Sequence, residues 1–243
     1  LFSWLFIFPV VAESTATGYK ITKEWNVDAN TSFELVATYQ NFKVEIWDKD
    51  IVRIEFVMEA NSNKVDEDDF KNGLKINAEK SARKLKVTTN MNEPSSSVWS
   101  WIFGNKDKDD YKISNTIYIP KSIASLNFSL SYCELIIDEI NIPTKINSNY
   151  GDVSVGKNKS RTIINTSYSD VTFGEMSNLK ISASYTDFIL NSIDTLTIAS
   201  SYGDIKLTNC PLFQSLSINY GDITIGKVGY IKAISTYSDI KIN

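Results

Sequence analysis

Apolar positions in the second half of the chain fall into columns. Aligning the text on Tyr132, Tyr150, Tyr168, Tyr185, Tyr202, Tyr220 and Tyr237 gives spacings of 18, 18, 17, 17, 18 and 17 residues. Four residues before each tyrosine stands Phe128, Ile146, Ile164, Ile181, Ile198, Leu216 or Ala233. After it come two apolar columns spaced two apart, from Leu135/Ile137 and Val153/Val155 through Ile223/Ile225 to Ile240/Ile242. Alternation with period two is a strand signal, one side facing in and the other out. Each unit therefore reads strand, bend, strand and polar return, and a fixed period this short predicts one coil per repeat stacked on the last.

The bend is marked by small or polar residues. A hydrogen-bonding residue precedes each tyrosine (Ser, Asn or Thr), and Cys, Gly, Ser or Thr follows it. An acid then occupies every unit: Glu134, Asp152, Asp170, Asp187, Asp204, Asp222 and Asp239. The units all run in one direction, which disfavours antiparallel hairpins. The predicted fold is all-β, a single-chain parallel β-solenoid with a β-rich N-terminal cap. A right-handed sense is expected because parallel crossovers are almost always right-handed. Coils about 4.8 Å apart would carry the seven tyrosines over roughly 29 Å. The sequence leaves open whether the tyrosine rings face in or out, and parity with the upstream apolar column only hints at inward.

Residues 13–122 are expected to form the cap and 123–243 the coils. Strand-like runs recur at KITKEW, FELVATY, FKVEIW, IVRIEFVM, LKINAE, KLKVTT and YKISNTIYIP. Phe33 to Val44 is a degenerate copy of the repeat, with Tyr39 on the tyrosine column and Asn41 on the acidic one. Residues 64–73 suit a short helix, and Pro120 suits a strand end where the regular coils begin. The loop 91–110 breaks the pattern. Its Trp99, Trp101 and Phe103 form a candidate binding tip, whose alternative is folding back over the cap core.

Composition removes several chemistries. The 243 residues hold no histidine, which excludes Ser-His and Cys-His nucleophile pairs and the commonest zinc ligand. A net charge of −4 argues against a nucleic-acid footprint. Residues 1–12 form an apolar run ending Val10-Val11-Ala12, like the core and cleavage site of an export signal and too short to span a membrane. With no basic segment before it and a mid-motif finish at SDIKIN, the sequence reads as a fragment, or as a stack whose last coil a partner covers. Four coil steps, roughly 19 Å, would separate Cys133 from the coil before Cys210, whereas a disulfide needs Cα atoms within about 7 Å. Two free buried thiols are expected.

The ladder Y-[GS]-D-[VI]-x-[VI], the Trp47-Asp48-Lys49 segment and the Tyr118-Ile119-Pro120 hand-over resemble the putative-adhesin β-strand-repeat family of exported bacterial proteins. The likeness covers nearly all of residues 19–243. It implies a β-helix-like fold in the cell envelope, at the periplasm or cell surface, and supplies no catalytic residues.

The acidic column has two readings. Calcium takes 6–8 oxygens and each coil offers one carboxylate. The other reading has each Asp accepting amide N–H bonds at its own bend, as Asx turns do. The tyrosines read as a stacking ladder. No coil gathers extra acids with a basic residue: Arg161, Lys206 and Lys241 stand apart. The expected function is thus a non-catalytic, adhesin-like module without cofactor or metal, binding a surface glycan or an envelope protein. The alternatives are an envelope scaffold or signalling accessory that docks a protein partner by strand addition, and a polysaccharide-cleaving β-helix enzyme.

Overall fold

The computed structural model describes residues 18–60, 71–91 and 111–243. Residues 1–12, most of the expected helix 64–73 and the Trp99/Trp101/Phe103 tip lie outside these; 71–73 form one helical turn. The described strands are β1 (Gly18–Asn26), β2 (Ser32–Thr38), β3 (Phe42–Trp47), β4 (Ile51–Ala60), β5 (Leu74–Lys80), β6 (Lys84–Met91), β7 (Tyr111–Pro120), β8 (Ser125–Ser131), β9 (Leu135–Ile140), β10 (Thr144–Asn149), β11 (Val153–Ser201), β12 (Ile205–Asn219), β13 (Ile223–Thr236) and β14 (Ile240–Ile242).

The chain returns beside itself every 17 or 18 residues, in parallel and in register. Ile146 pairs with Phe128 on one side and Ile164 on the other. Phe188 pairs with Ile205, which pairs with Ile223, which pairs with Ile240. Like residues therefore lie over like residues, and the sequence columns become ladders across the stack. β11 passes through its bends without a break, so the strands before and after each bend belong to one continuous, mostly parallel sheet.

The degenerate copy joins this stack directly. β2 pairs in parallel with β8, Leu35 opposite Phe128, and β3 with β9, Phe42 opposite Leu135. Beyond it, β6 extends the first ladder and β7 the second, both still parallel. Only then does direction change: β5 is antiparallel to β6, and β4 and β1 follow β7 antiparallel. Trp47 closes the outer face of this end. Its indole N–H donates to the Ile51 carbonyl at 2.7 Å, and Arg53 lies 4.8 Å from its ring centre, held by Glu24 and Glu55.

Burial follows the alternation. The inner column Leu35, Phe128, Ile146, Ile164, Ile181, Ile198 and Leu216 is almost fully buried, as are both columns after the acid from Phe42/Val44 to Ile223/Ile225. Burying one such side chain stabilises by about 1.5–3 kcal/mol. Several polar side chains share this interior, Asn158 among them. Asn158 is fully buried; its amide donates to the Ile142 carbonyl (3.1 Å) and Thr162 Oγ1 (3.0 Å), and its carbonyl accepts the Ser160 N–H (2.8 Å). All four of its groups need not be met for it to fix this return segment to the strands, because a buried amide left unbonded would cost more than it gains.

Candidate functional site

The tyrosine rings face outward, which decides the orientation the sequence left open and runs against the hint from parity. Tyr39 and the seven repeat tyrosines all adopt φ between 51° and 61°, in the left-handed region. One left-handed residue reverses the in–out alternation, so the tyrosine leaves the core side that its position four after Leu35 or Phe128 would assign. Such a backbone costs a bulky residue on the order of 1–3 kcal/mol. Stacking offsets it: successive rings lie 4.7–4.9 Å apart and nearly parallel from Tyr39 to Tyr237. Aromatic pairs contribute about 0.5–1.5 kcal/mol each, and an internal rung has two. The bend also stays bonded to its neighbour, for example Tyr150 N–H to the Ser167 carbonyl at 3.0 Å.

The internal rungs from Tyr132 to Tyr220 are 43–50% exposed. Their faces cover one another, so the surface they offer is a row of ring edges and phenol groups. A sugar has no free ring face to lie on along this row.

The acids use their carboxylates differently from the expected Asx turn. Asp152 Oδ1 accepts the N–H of Asp170 in the next coil (2.9 Å), Asp187 that of Asp204 (2.8 Å), Asp204 that of Asp222 (2.9 Å) and Asp222 that of Asp239 (3.3 Å). Asn41 Oδ1 does the same for Glu134 (2.9 Å). The bonds run between coils because the parallel register sets each acid beside the amide of the next acid. A single residue separates these acids from the tyrosines. It is small because it faces the preceding coil: Ser169 Oγ donates to the Ser167 carbonyl (3.2 Å) and accepts the Gly151 N–H (3.4 Å). Between the two exposed columns the small residues leave a shallow groove of about 460 Å³, lined by Asp152, Tyr168, Ser169, Asp170, Tyr185 and Asp187 and reaching Tyr202.

Charge along this edge is one-signed. On a neighbouring part of the stack the sign alternates from coil to coil, with Lys43 bonded to Asp138 (3.2 Å) and Lys157 between Glu175 (3.0 Å) and Glu139 (4.0 Å). Among the described residues no lysine or arginine pairs with the aspartates from Asp152 to Asp239. Among the same residues no three His, Cys, Asp or Glu side chains converge as a metal cluster, and no helix is long and apolar enough to cross a membrane.

Cys133 and Cys210 are free and buried. Cys133 accepts the Gln40 N–H (3.4 Å) and donates to the Ser131 carbonyl (3.2 Å), taking the place that Ser169 takes two coils later. Burial pushes the Cys210 thiol up to about 11 and raises Cys133 as well. An unfolded thiol ionises near about 8.5. The folded state thus holds a stabilising preference below that pH, and loses it as pH rises toward about 11. Ellman's reagent at pH 8 is expected to react slowly with the native protein and rapidly in denaturant; fast native labelling of either thiol would contradict this burial.

No family model matches the chain, and no curated protein matches it. Solved structures do. The chain is similar to a putative cell adhesion protein from Clostridium sporogenes, at 13% identity and a TM-score of 0.37, covering 91% of this chain and 99% of that one. It is similar to a putative adhesin from Parabacteroides merdae, at 11% identity and a TM-score of 0.39, covering 92% and 96%. It is also similar to a putative lipid binding protein from Parabacteroides distasonis, at 13% identity and a TM-score of 0.30, covering 92% and 94%.

Proposed function

We propose that this chain is a right-handed β-helix of an exported cell-envelope protein and acts, without catalysis, as an adhesin-like binding module. The observation that carries this reading is the uniformity of the exposed edge. Eight tyrosines share one backbone conformation and one stacking distance. An active site would single out one coil by concentrating acids and a base there. A repetitive edge suits a repetitive surface, where many weak contacts add through multivalency. The apolar run at residues 1–12 supports export.

Binding of the chain to arrayed surface glycans and to solubilised envelope proteins, compared with Tyr185→Ala/Tyr202→Ala and Trp99→Ala/Trp101→Ala variants, tests this. Capture lost in the tyrosine variant and kept in the tryptophan variant is the expected result. Loss only in the tryptophan variant would move docking to the 91–110 loop. Turnover of any arrayed polysaccharide would overturn the non-catalytic reading.

A further inference from the structure

We propose that the tyrosine ladder is a one-electron conduit: a phenol oxidised at one rung passes the oxidised state along the stack, rung by rung, to an acceptor at another. Oxidants of the haem-peroxidase class, which draw single electrons from exposed phenols, would load it.

Two independent features of the ladder carry this. The first is continuity. The rings from Tyr39 to Tyr237 follow one another at 4.7–4.9 Å without a gap, and from Tyr132 onward successive planes lie within 8° of parallel. Inter-strand hydrogen bonds set that step, so neighbouring π faces are held at the shortest separation the coil repeat allows. The second is equivalence. All rungs share φ of 51–61°, and those from Tyr132 to Tyr220 are 43–50% exposed. Like surroundings give like oxidation energies, so no internal rung traps the radical. Tyrosines off the ladder differ. Tyr230 is 56% exposed and belongs to no rung, while Tyr118 tilts 31° against Trp47 and donates its hydroxyl to Glu55.

Each transfer moves a proton with the electron. The oxidant removes one electron from a phenol, and the O–H proton passes to water, leaving a neutral phenoxyl radical. The next phenol gives one electron to that radical and its own proton to water. The first oxygen takes a proton back from water and is a phenol again. Atoms and charge balance at every rung, and the ladder is restored behind the moving radical. The half-exposed rungs meet water along the whole edge, so no buried base is needed.

The conduit needs no macromolecular partner, so it stands or falls apart from the docking reading. Pulse radiolysis of the purified chain carrying Tyr220→ortho-aminotyrosine tests it. Azide radical oxidises the tyrosines at random, and the more easily oxidised aminophenol collects whatever reaches it. After the initial burst its radical is expected to grow as the phenoxyl absorbance decays, at a rate independent of protein concentration. Every other rung of the ladder feeds the sink in this chain, seven in all. Adding Tyr168→Phe leaves three connected rungs, and adding Tyr202→Phe leaves one. The amplitude of the delayed growth is therefore expected to fall to about three sevenths and about one seventh. Phenylalanine keeps the ring stack and removes only the phenol, and circular dichroism checks that the fold is unchanged. Tyr230→Phe is expected to keep the full amplitude. Growth that survives Tyr202→Phe undiminished would overturn the proposal, since radicals would then reach the sink by another route. So would a growth rate that scales with protein concentration, which would mean transfer between molecules. The absence of any delayed growth would overturn it as well, by showing that each rung keeps its own radical.

Discussion

Phe128→Ala is expected to lower the unfolding free energy by about 3–5 kcal/mol, the range for deleting a fully buried aromatic side chain. Phe128 is fully buried and sits in the ladder between Leu35 and Ile146. Its ring meets Phe33 edge to face, with centroids 6.5 Å apart and planes at 76°. The void would open where the degenerate first coil joins the regular ones. Neighbouring coils cannot close on it, because the backbone spacing along the stack is fixed by inter-strand hydrogen bonds. The urea midpoint reads the effect, and amide exchange locates it: β2 is expected to lose protection before β12. A loss below about 1 kcal/mol would mean the interior relaxes far more than a hydrogen-bonded stack permits.

Gly203→Ala is expected to cost about 2–3 kcal/mol through backbone strain and overpacking. Gly203 has φ +152°, and a Cβ there would lie 2.0 Å from the Thr186 carbonyl oxygen. That neighbour is main chain, so it cannot swing aside as a side chain would. Yet the same column holds Ser169 and Thr186, whose hydroxyls bond to the carbonyls of Ser167 and Ser184. Two bend geometries therefore exist on one ladder, one for glycine and one for hydroxyl residues. Gly203→Ser would show whether a coil can change from one to the other. If it is near neutral while Gly203→Ala is costly, the hydroxyl bond compensates for the shift. If Gly203→Ala is itself neutral, the close approach to Thr186 is not a constraint.

The repeat made most of the coil visible from sequence. Ile164, Ile198 and Ile225 announced the interior by their spacing, and Tyr39 with Asn41 marked the first rung despite its distance along the chain. The tyrosine orientation was not legible, because alternation assumes an extended backbone and one left-handed residue per coil inverts it. Nothing in the letters S-Y-G-D separates a left-handed tyrosine from an extended one. The aspartate bonds were missed for a related reason. Asx turns are local, and the amide that Asp152 holds belongs to Asp170, a neighbour only once coils are stacked. The groove depends on both features, so it too appeared only in three dimensions. Asn158 gave no signal at all, since its column otherwise holds Ile140, Met176, Ile193 and Cys210, and a buried amide there is satisfied by partners the repeat does not encode.

The first rung also sets an order of assembly. Every later coil closes on its neighbour across 17 or 18 residues, but Tyr39 meets Tyr132 and β2 meets β8 across 93. Closing the longer loop costs about 1.5 kcal/mol more in chain entropy. During synthesis β6 and β7 reach β2 and β3 first, and the opposite edges of those two strands wait until β8 and β9 follow. Once β8 to β10 have formed, those two strands can dock on a finished template edge. The seam between the first rung and the regular coils would then be the last part of the stack to close and the first to open under load.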